Sequence, residues 1–385
     1  MQAPTRPAPA SFLKHAVQVA SFYGFRPLRE VEKRVPGLER RTHSFATAAH
    51  ACVQHTVLRP GEPVLAYWAA QNPLYPPAGK AGTSFENPRD AAEFGLNILG
   101  VPESIAEVIL LKTVSTIINE WGSPVARVRI NALGDKDSKL RFEREAGLYL
   151  RKHIAHLDPE CRDKMAASPL APYACKSELC LSVTESGPRA MNFLSEKSRL
   201  HFKEVLEHLE KLEVPYEFDD LLLGDEREPR TVFAFDLERE DATVLGGTGG
   251  RFDDHFRKFA TRKEASGVSA SIFFRKKGLA APHFQLGIPS GTPDVYFIQL
   301  GLRAKLEGLA VVDALRRAQI PILQSFDSDK LSPQLSAAKQ AGVSHLIIMG
   351  AREALDRTVL VRAMDDSHQT IVGLSELPRF LKTLR

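Results

Sequence analysis

Four residues separate Cys175 from Cys180, with Cys161, His153 and His156 upstream. Thiolates and imidazoles at such spacing could hold zinc, but no second close pair completes the set. Free thiols in an insertion are the preferred reading, and no metal site is assigned. Gly246-Gly247-Thr248-Gly249-Gly250 has the glycine density of a phosphate-cradling loop. It lacks the Lys-Ser/Thr ending that such loops use, so a tight turn exploiting glycine's free φ is preferred. His43, His50 and His55 are scattered and read as surface or edge residues. Arg257, Lys258, Arg262, Lys263, Arg275, Lys276 and Lys277 form a basic run that could track an RNA backbone. A solvated charged face explains the same run.

Residues of this kind act only where regular elements hold them. A helix is expected from Ser11 to about Ala20, with Phe12, Ala16 and Val19 on one face. Helices are also expected over 104–121, 140–154 and 195–212, from apolar residues at helical spacing. Strands are expected over 93–100, 125–132, 231–237 and 242–245. Residues 72–87 read as a loop, and 160–188 are polar with little pattern. After residue 293 short apolar segments (294–300, 320–325, 344–350) alternate with helical ones (303–318, 332–341), which predicts a mainly parallel sheet.

The chain has 385 residues, enough for two or three domains. A net charge of +4 permits a nucleic-acid partner without demanding one. Four cysteines are too few for a disulfide framework and suit reduced thiols in a cytoplasmic protein. No apolar run reaches the roughly 20 residues of a membrane helix. Met1 to Ala10 is rich in Pro and Ala, lacks a signal-peptide core, and reads as a disordered tail.

The last segment resembles the anticodon-binding domain of the histidyl-tRNA synthetase family. The resemblance is carried by Leu309-Ala310, Ala314-Leu315-Arg316, Lys330-Leu331-Ser332-Pro333-Gln334-Leu335, Ala338-Lys339-Gln340-Ala341-Gly342, Ile347-Ile348-Met349-Gly350 and Glu353. Weaker matches follow in order through the rest. Tyr23-Gly24-Phe25 with Pro36 is similar to the dimer-forming first motif of class II synthetases. Leu58-Arg59-Pro60 resembles a Leu-Arg-Pro-Glu stretch that meets the amino acid. Ala92 to Gly100 resembles the end of the second motif. Arg129 to Asp135 resembles the strand and turn after it, and Gly249-Gly250-Arg251-Phe252-Asp253 a Gly-Gly-Arg-Tyr-Asp turn. The implied fold is an α+β class II synthetase-like antiparallel-sheet domain (11–280), then a linker (281–292) and an α/β anticodon-binding-like domain (293–385).

The resemblance also shows what this sequence lacks. Class II activation gathers negative charge on the α-phosphate of ATP, shared with Mg²⁺, and needs arginines to grip it. No Phe-Arg-x-Glu accompanies Gln71-Asn72-Pro73-Leu74-Tyr75, and Lys80 and Arg89 are the nearby cations. Phe273-Phe274 fall where an acid and an arginine are expected, with Arg275 one position late. Leu223 replaces the arginine of the histidine-recognition loop, and Arg227-Glu228 replace its tyrosine pair. Gly61 takes the place of the acid in Leu-Arg-Pro-Glu, and Glu62 follows.

These departures favour a family member that binds tRNA, other RNA or protein without normal aminoacylation. Arg303, Arg316, Lys330 and Lys339 are its RNA-binding candidates, and Asn97, Gly249, Gly250 and Arg251 form a substrate-pocket wall. An active histidine–tRNA ligase is the alternative, with Arg59, Glu62, Arg89 and Arg275 as catalytic residues and ATP and Mg²⁺ as cofactors. A third reading, a regulatory subunit like that of ATP phosphoribosyltransferase, shares the synthetase core without the C-terminal module. A homodimer is implied by the resemblance.

Overall fold

The computed structural model describes residues 9–28, 63–71, 91–121, 125–166, 168–224, 229–237, 244–257, 265–275, 293–324, 326, 328–366 and 368–384. The expected loop at 72–87 and linker at 281–292 lie outside them, as does the tail apart from Pro9 and Ala10. The first sheet has eight strands: β1 (Arg26–Pro27), β2 (Val64–Gln71), β3 (Ala91–Leu99), β4 (Val125–Ala132), β5 (Tyr216–Phe218), β6 (Thr231–Leu237), β7 (Val244–Arg251) and β8 (Gly267–Arg275). Their order is β1-β2-β3-β8-β7-β6-β4-β5. Neighbours are antiparallel except β1 with β2 and β4 with β5. The helices of this part are α1 (Pro9–Phe22), α2 (Ile105–Glu120), α3 (Lys136–Lys152), α4 (Pro159–Lys164), α5 (Glu178–Glu185), α6 (Glu196–Lys211) and α7 (Asp253–Arg257).

One face of this sheet is apolar, because side chains alternate along each strand. Phe94, Leu96 and Ile98 of β3, Val268, Ala270, Ile272 and Phe274 of β8, and Phe233 and Phe235 of β6 belong to the main core. Helices α1 and α2 cover it, and Phe274 stacks on Phe12 of α1 with ring centroids 5.0 Å apart. Helix α2 is apolar nearly all round because the sheet, α1 and α6 enclose it. The helix expected over 140–154 starts earlier, at Lys136. Asp135 caps it, accepting from the Ser138 amide at 3.0 Å, and also accepts from Ser195, the cap of α6, at 2.6 Å. Burial pushes the Asp135 carboxyl up, but the hydrogen bonds from Ser195 and Ser138 prevail and lower it to about 2.

Residues 160–188, patternless in sequence, contain α4, a 3₁₀ turn at Ala171–Ala174 and α5. These pack on a small core of Leu157, Cys161, Tyr173 and Cys180 with Phe142 and Leu150 of α3. Too few apolar residues serve it for periodicity to show.

The second sheet comprises β9 (Val295–Gln299), β10 (Leu323–Gln324), β11 (His345–Met349), β12 (Thr358–Ala363) and β13 (Gln369–Gly373), in the order β10-β9-β11-β12-β13. Its helices are α8 (Leu302–Arg317), α9 (Leu331–Ala341), α10 (Ala351–Asp356) and α11 (Leu377–Thr383). Strands β10, β9 and β11 are parallel, as the alternation predicts. The antiparallel pairings of β11 with β12 and of β12 with β13 correct the mainly parallel expectation. The strand expected over 320–325 shrinks to Leu323–Gln324.

Candidate functional site

The second face of the eight-stranded sheet has a different composition. Asn97 pairs with Ser269, Gly95 with Ser271, and Glu93 with Phe273. Across β7, Gly250 pairs with Ser269 and Thr248 with Ser271. Strand alternation therefore gathers Glu93, Asn97, Ser269, Ser271, Thr248 and Gly250 on one face, opposite the apolar one. Ser271 Oγ donates to Glu93 Oε1 at 2.8 Å. The Asn97 side-chain amide and Ser269 Oγ are buried and have no hydrogen-bond partner among the described residues. An unsatisfied buried amide costs about 1–3 kcal/mol, so it calls for an explanation.

Arg251, expected in the pocket wall, is not on this face. It pairs in register with Val268, a core residue, and points at α2. Its Nε donates to Glu107 Oε1 at 2.6 Å and its Nη2 to Glu107 Oε2, a bidentate pair. Nη1 donates to the Val101 carbonyl at 3.1 Å and Nη2 to that of Glu103 at 2.9 Å. Asp253 adds a third carboxylate oxygen at 3.4 Å and accepts from the Gly267 amide at 3.0 Å. Arg251 thus locks the end of β7 to α2 and, through Asp253, to the start of β8.

Gly249 and Gly250 are required by close approach. A Cβ on Gly249 would lie 2.3 Å from the Ser269 carbonyl oxygen and 2.4 Å from the Phe233 ring. One on Gly250 would lie 2.4 Å from the Thr231 carbonyl oxygen. Gly249→Ala should lower stability by about 2–3 kcal/mol, read as a shift in the urea midpoint with an unchanged slope. An alanine variant as stable as the parent would refute this packing argument.

Several other described arginines of this part are paired with carboxylates, while Arg26 of β1 is exposed. Arg127 pairs with Glu217 at 2.6 Å and Arg129 with Asp219 at 2.7 Å. Arg230 and Lys139 both meet Asp254, at 2.9 and 3.2 Å. Arg59, Glu62 and Arg89 lie outside the described residues. Arg275 pairs through its backbone with Ala91 at the end of β8, and its side chain is outside the description. Leu223 packs with Leu221 and Leu222 against the small core around Cys161 and Tyr173. The Asn131 amide donates to the Leu222 carbonyl at 3.0 Å, holding that segment on β4.

In the second sheet's domain, Arg303, Lys330 and Lys339 are exposed. Arg316 is not: it is buried and makes a two-bonded ion pair with Glu120 of α2. Its place among the RNA contacts is corrected, because its donors face the neighbouring domain. Position 316 lies at the core-facing end of the α8 stripe, a fact the charge of the residue conceals in sequence.

Residues 294–384 match the anticodon binding domain family. The chain is 29% identical over 355 residues to the histidine–tRNA ligase of Geobacillus thermodenitrificans, covering 89% of this chain and 80% of that one. The ligase of Geobacillus kaustophilus gives the same identity and coverage. The apo histidyl-tRNA synthetase of S. aureus superposes with a TM-score of 0.47 and 16% identity over 99% of both chains. No described helix is long and apolar enough to cross a membrane. The chain is thus similar over most of its length to histidine–tRNA ligases and ends in an anticodon binding domain.

Proposed function

We propose that this chain binds tRNA or a tRNA-like RNA through its second domain and does not activate histidine. The observation that carries this reading is the internal use of cations in the first domain. Arg127, Arg129, Arg230 and Arg251 each face a carboxylate of the chain itself. A guanidinium already satisfied by a carboxylate does not reorganise cheaply to grip a phosphate. Leu223, aligned with the arginine of the histidine loop, serves an apolar core instead. A site built for a polar ligand loses its selectivity when those partners go. ATP with Mg²⁺, which an active member would use, would meet on the polar face Arg127 and Arg129, which are already paired with Glu217 and Asp219.

RNA binding rests on the anticodon binding domain match and on the exposed Arg303, Lys330 and Lys339. Cations free to meet phosphates give affinity that falls with salt. A homodimer belongs to the same proposal, and light scattering of the purified chain reads it directly.

Pyrophosphate exchange with ATP and histidine should stay at background for the pure protein, while tRNA retention on a filter is measurable and salt-dependent. Reversing Arg303, Lys330 and Lys339 to glutamate should weaken retention and reduce the salt slope by roughly one per lost contact. Histidine-dependent exchange at the rate of an ordinary synthetase would end this reading. A second reading is favoured by one observation: the buried Asn97 amide and Ser269 hydroxyl lack partners among the described residues. A small polar ligand would supply them, and the ligase alternative then rises if histidine raises the melting temperature of the parent but not of Asn97→Leu.

A further inference from the structure

The small core under Leu157 brings together three thiols that the proposed RNA function does not use. The Sγ atoms of Cys161, Cys175 and Cys180 all lie within 4.8 Å of one another. They come from three separate pieces of backbone: α4, the end of the 3₁₀ turn, and α5. Cys161 and Cys180 are buried and Cys175 half-buried, and none is in a disulfide. Cysteines used only as small apolar residues have no reason to face one another from three segments.

Tetrahedral zinc with Zn–S near 2.3 Å sets its sulfurs roughly 3.8 Å apart. Sulfurs already within 4.8 Å reach that spacing by small side-chain rotations. The surroundings suit thiolates. The Ser177 amide donates to Cys175 Sγ at 3.4 Å, the kind of outer hydrogen bond that orients a metal-bound sulfur. A surface cavity lined by Asp158, Lys164 and Ser168 opens beside Cys161 and Cys175. His153 and His156 do not join the group of three.

We propose that Cys161, Cys175 and Cys180 bind one zinc ion as thiolates, with the fourth position taken by solvent from the cavity beside Asp158. This reverses the preference drawn from spacing, where the absent second pair argued for plain thiols. The third sulfur comes from a distance in sequence that no two-pair pattern includes. Binding releases the thiol protons and staples α4 to α5 in a region with few apolar residues of its own. The role is structural, and it stands whether or not the chain binds RNA.

The test uses the full chain, purified with a reductant, loaded with zinc chloride and passed through a desalting column. Metal analysis should give about one zinc per chain, and cobalt substitution should give thiolate-to-metal charge-transfer bands with tetrahedral d–d intensity. Zinc should slow alkylation of Cys161, Cys175 and Cys180 by roughly tenfold or more and leave Cys52 unprotected, mapped by peptide mass on the unmutated protein. The triple variant Cys161→Ser, Cys175→Ser, Cys180→Ser should lose the metal, and Cys52→Ser should keep it. Zinc well below one per chain in the parent, equal alkylation with and without zinc, or full zinc retention by the triple variant would each overturn the assignment.

Discussion

Arg251→Met should lower the stability of this protein by about 3–5 kcal/mol, the usual loss when one partner of a buried ion pair is removed. Against a total of about 5–15 kcal/mol for a folded protein, that is enough to compromise folding. Glu107 is wholly inaccessible and Arg251 is 2% exposed, so neither charge finds water if the other is removed. Two backbone carbonyls, of Val101 and Glu103, each lose an Arg251 donor in the same step. Replacing both partners, as in Arg251→Met with Glu107→Leu, should recover part of the loss, because no carboxylate is then stranded. Full recovery is not expected, since the Val101 carbonyl loses its Arg251 donor, while that of Glu103 keeps the Ala106 amide.

Acid supplies a second signature of the same pair. Burial drives the Glu107 carboxyl upward, but the charge and hydrogen bonds of Arg251, with help from His201, prevail and lower it to about 2. A carboxyl depressed on folding stabilises above its unfolded value, 4.5, and that contribution is lost as pH falls towards 2. In Arg251→Met, burial acts without the guanidinium and the sign reverses. Glu107 then favours its neutral form, and stability relative to the parent should improve on acidification from about pH 8 to about pH 5. Denaturation midpoints across that range decide the matter. A variant within about 1 kcal/mol of the parent, with a parallel pH profile, removes the pair from its structural role.

What could be read in the sequence was whatever repeats with a period. Helix α2 and strand β4 are legible because Ile105, Val108, Ile109 and Ile117 recur at helical spacing and Val128 and Ile130 alternate with arginines. The start of α3 was missed because its first turn, Lys136 to Lys139, is polar, and its signal is the single cap residue Asp135. The site divided in the same way. Glycines at 249 and 250 stand out by composition, but the reason for them is the Phe233 ring and two carbonyls on other strands. In sequence Arg251 reads as part of a pocket wall and Arg316 as an RNA contact. Only the pairing partners, Glu107 and Glu120, many residues away, show that both are buried. The three-thiol group has the same origin, since its closeness is a property of the folded insertion.

Arg316→Met should then weaken the junction between the two sheets by about 2–4 kcal/mol, less than Arg251→Met because its pair keeps some contact with water. The side chains of Arg316 and Glu120 are 7% and 13% exposed. Glu120 is the last residue of α2, where the helix dipole disfavours a negative charge, so Arg316 offsets both burial and the dipole. Next to it, Asp313 of α8 accepts from the Tyr23 hydroxyl and pairs with Lys112 at 2.7 Å. Gln324 donates to the Phe22 carbonyl at 2.9 Å, and Lys211 pairs with Glu307. The junction thus carries several polar pairs beside its apolar contacts, and losing one member strands charges on the other side of it. A cycle of Arg316→Met with Glu120→Gln should show a coupling of about 1–3 kcal/mol in thermal or urea unfolding. The folded fraction of Arg316→Met should hold tRNA as the parent does, because its guanidinium is committed to Glu120 at the junction. The glutamate variants at Arg303, Lys330 and Lys339 should do the reverse, keeping stability and losing retention. If Arg316→Met weakened tRNA binding as they do while unfolding like the parent, its burial at the junction would not describe the protein in solution.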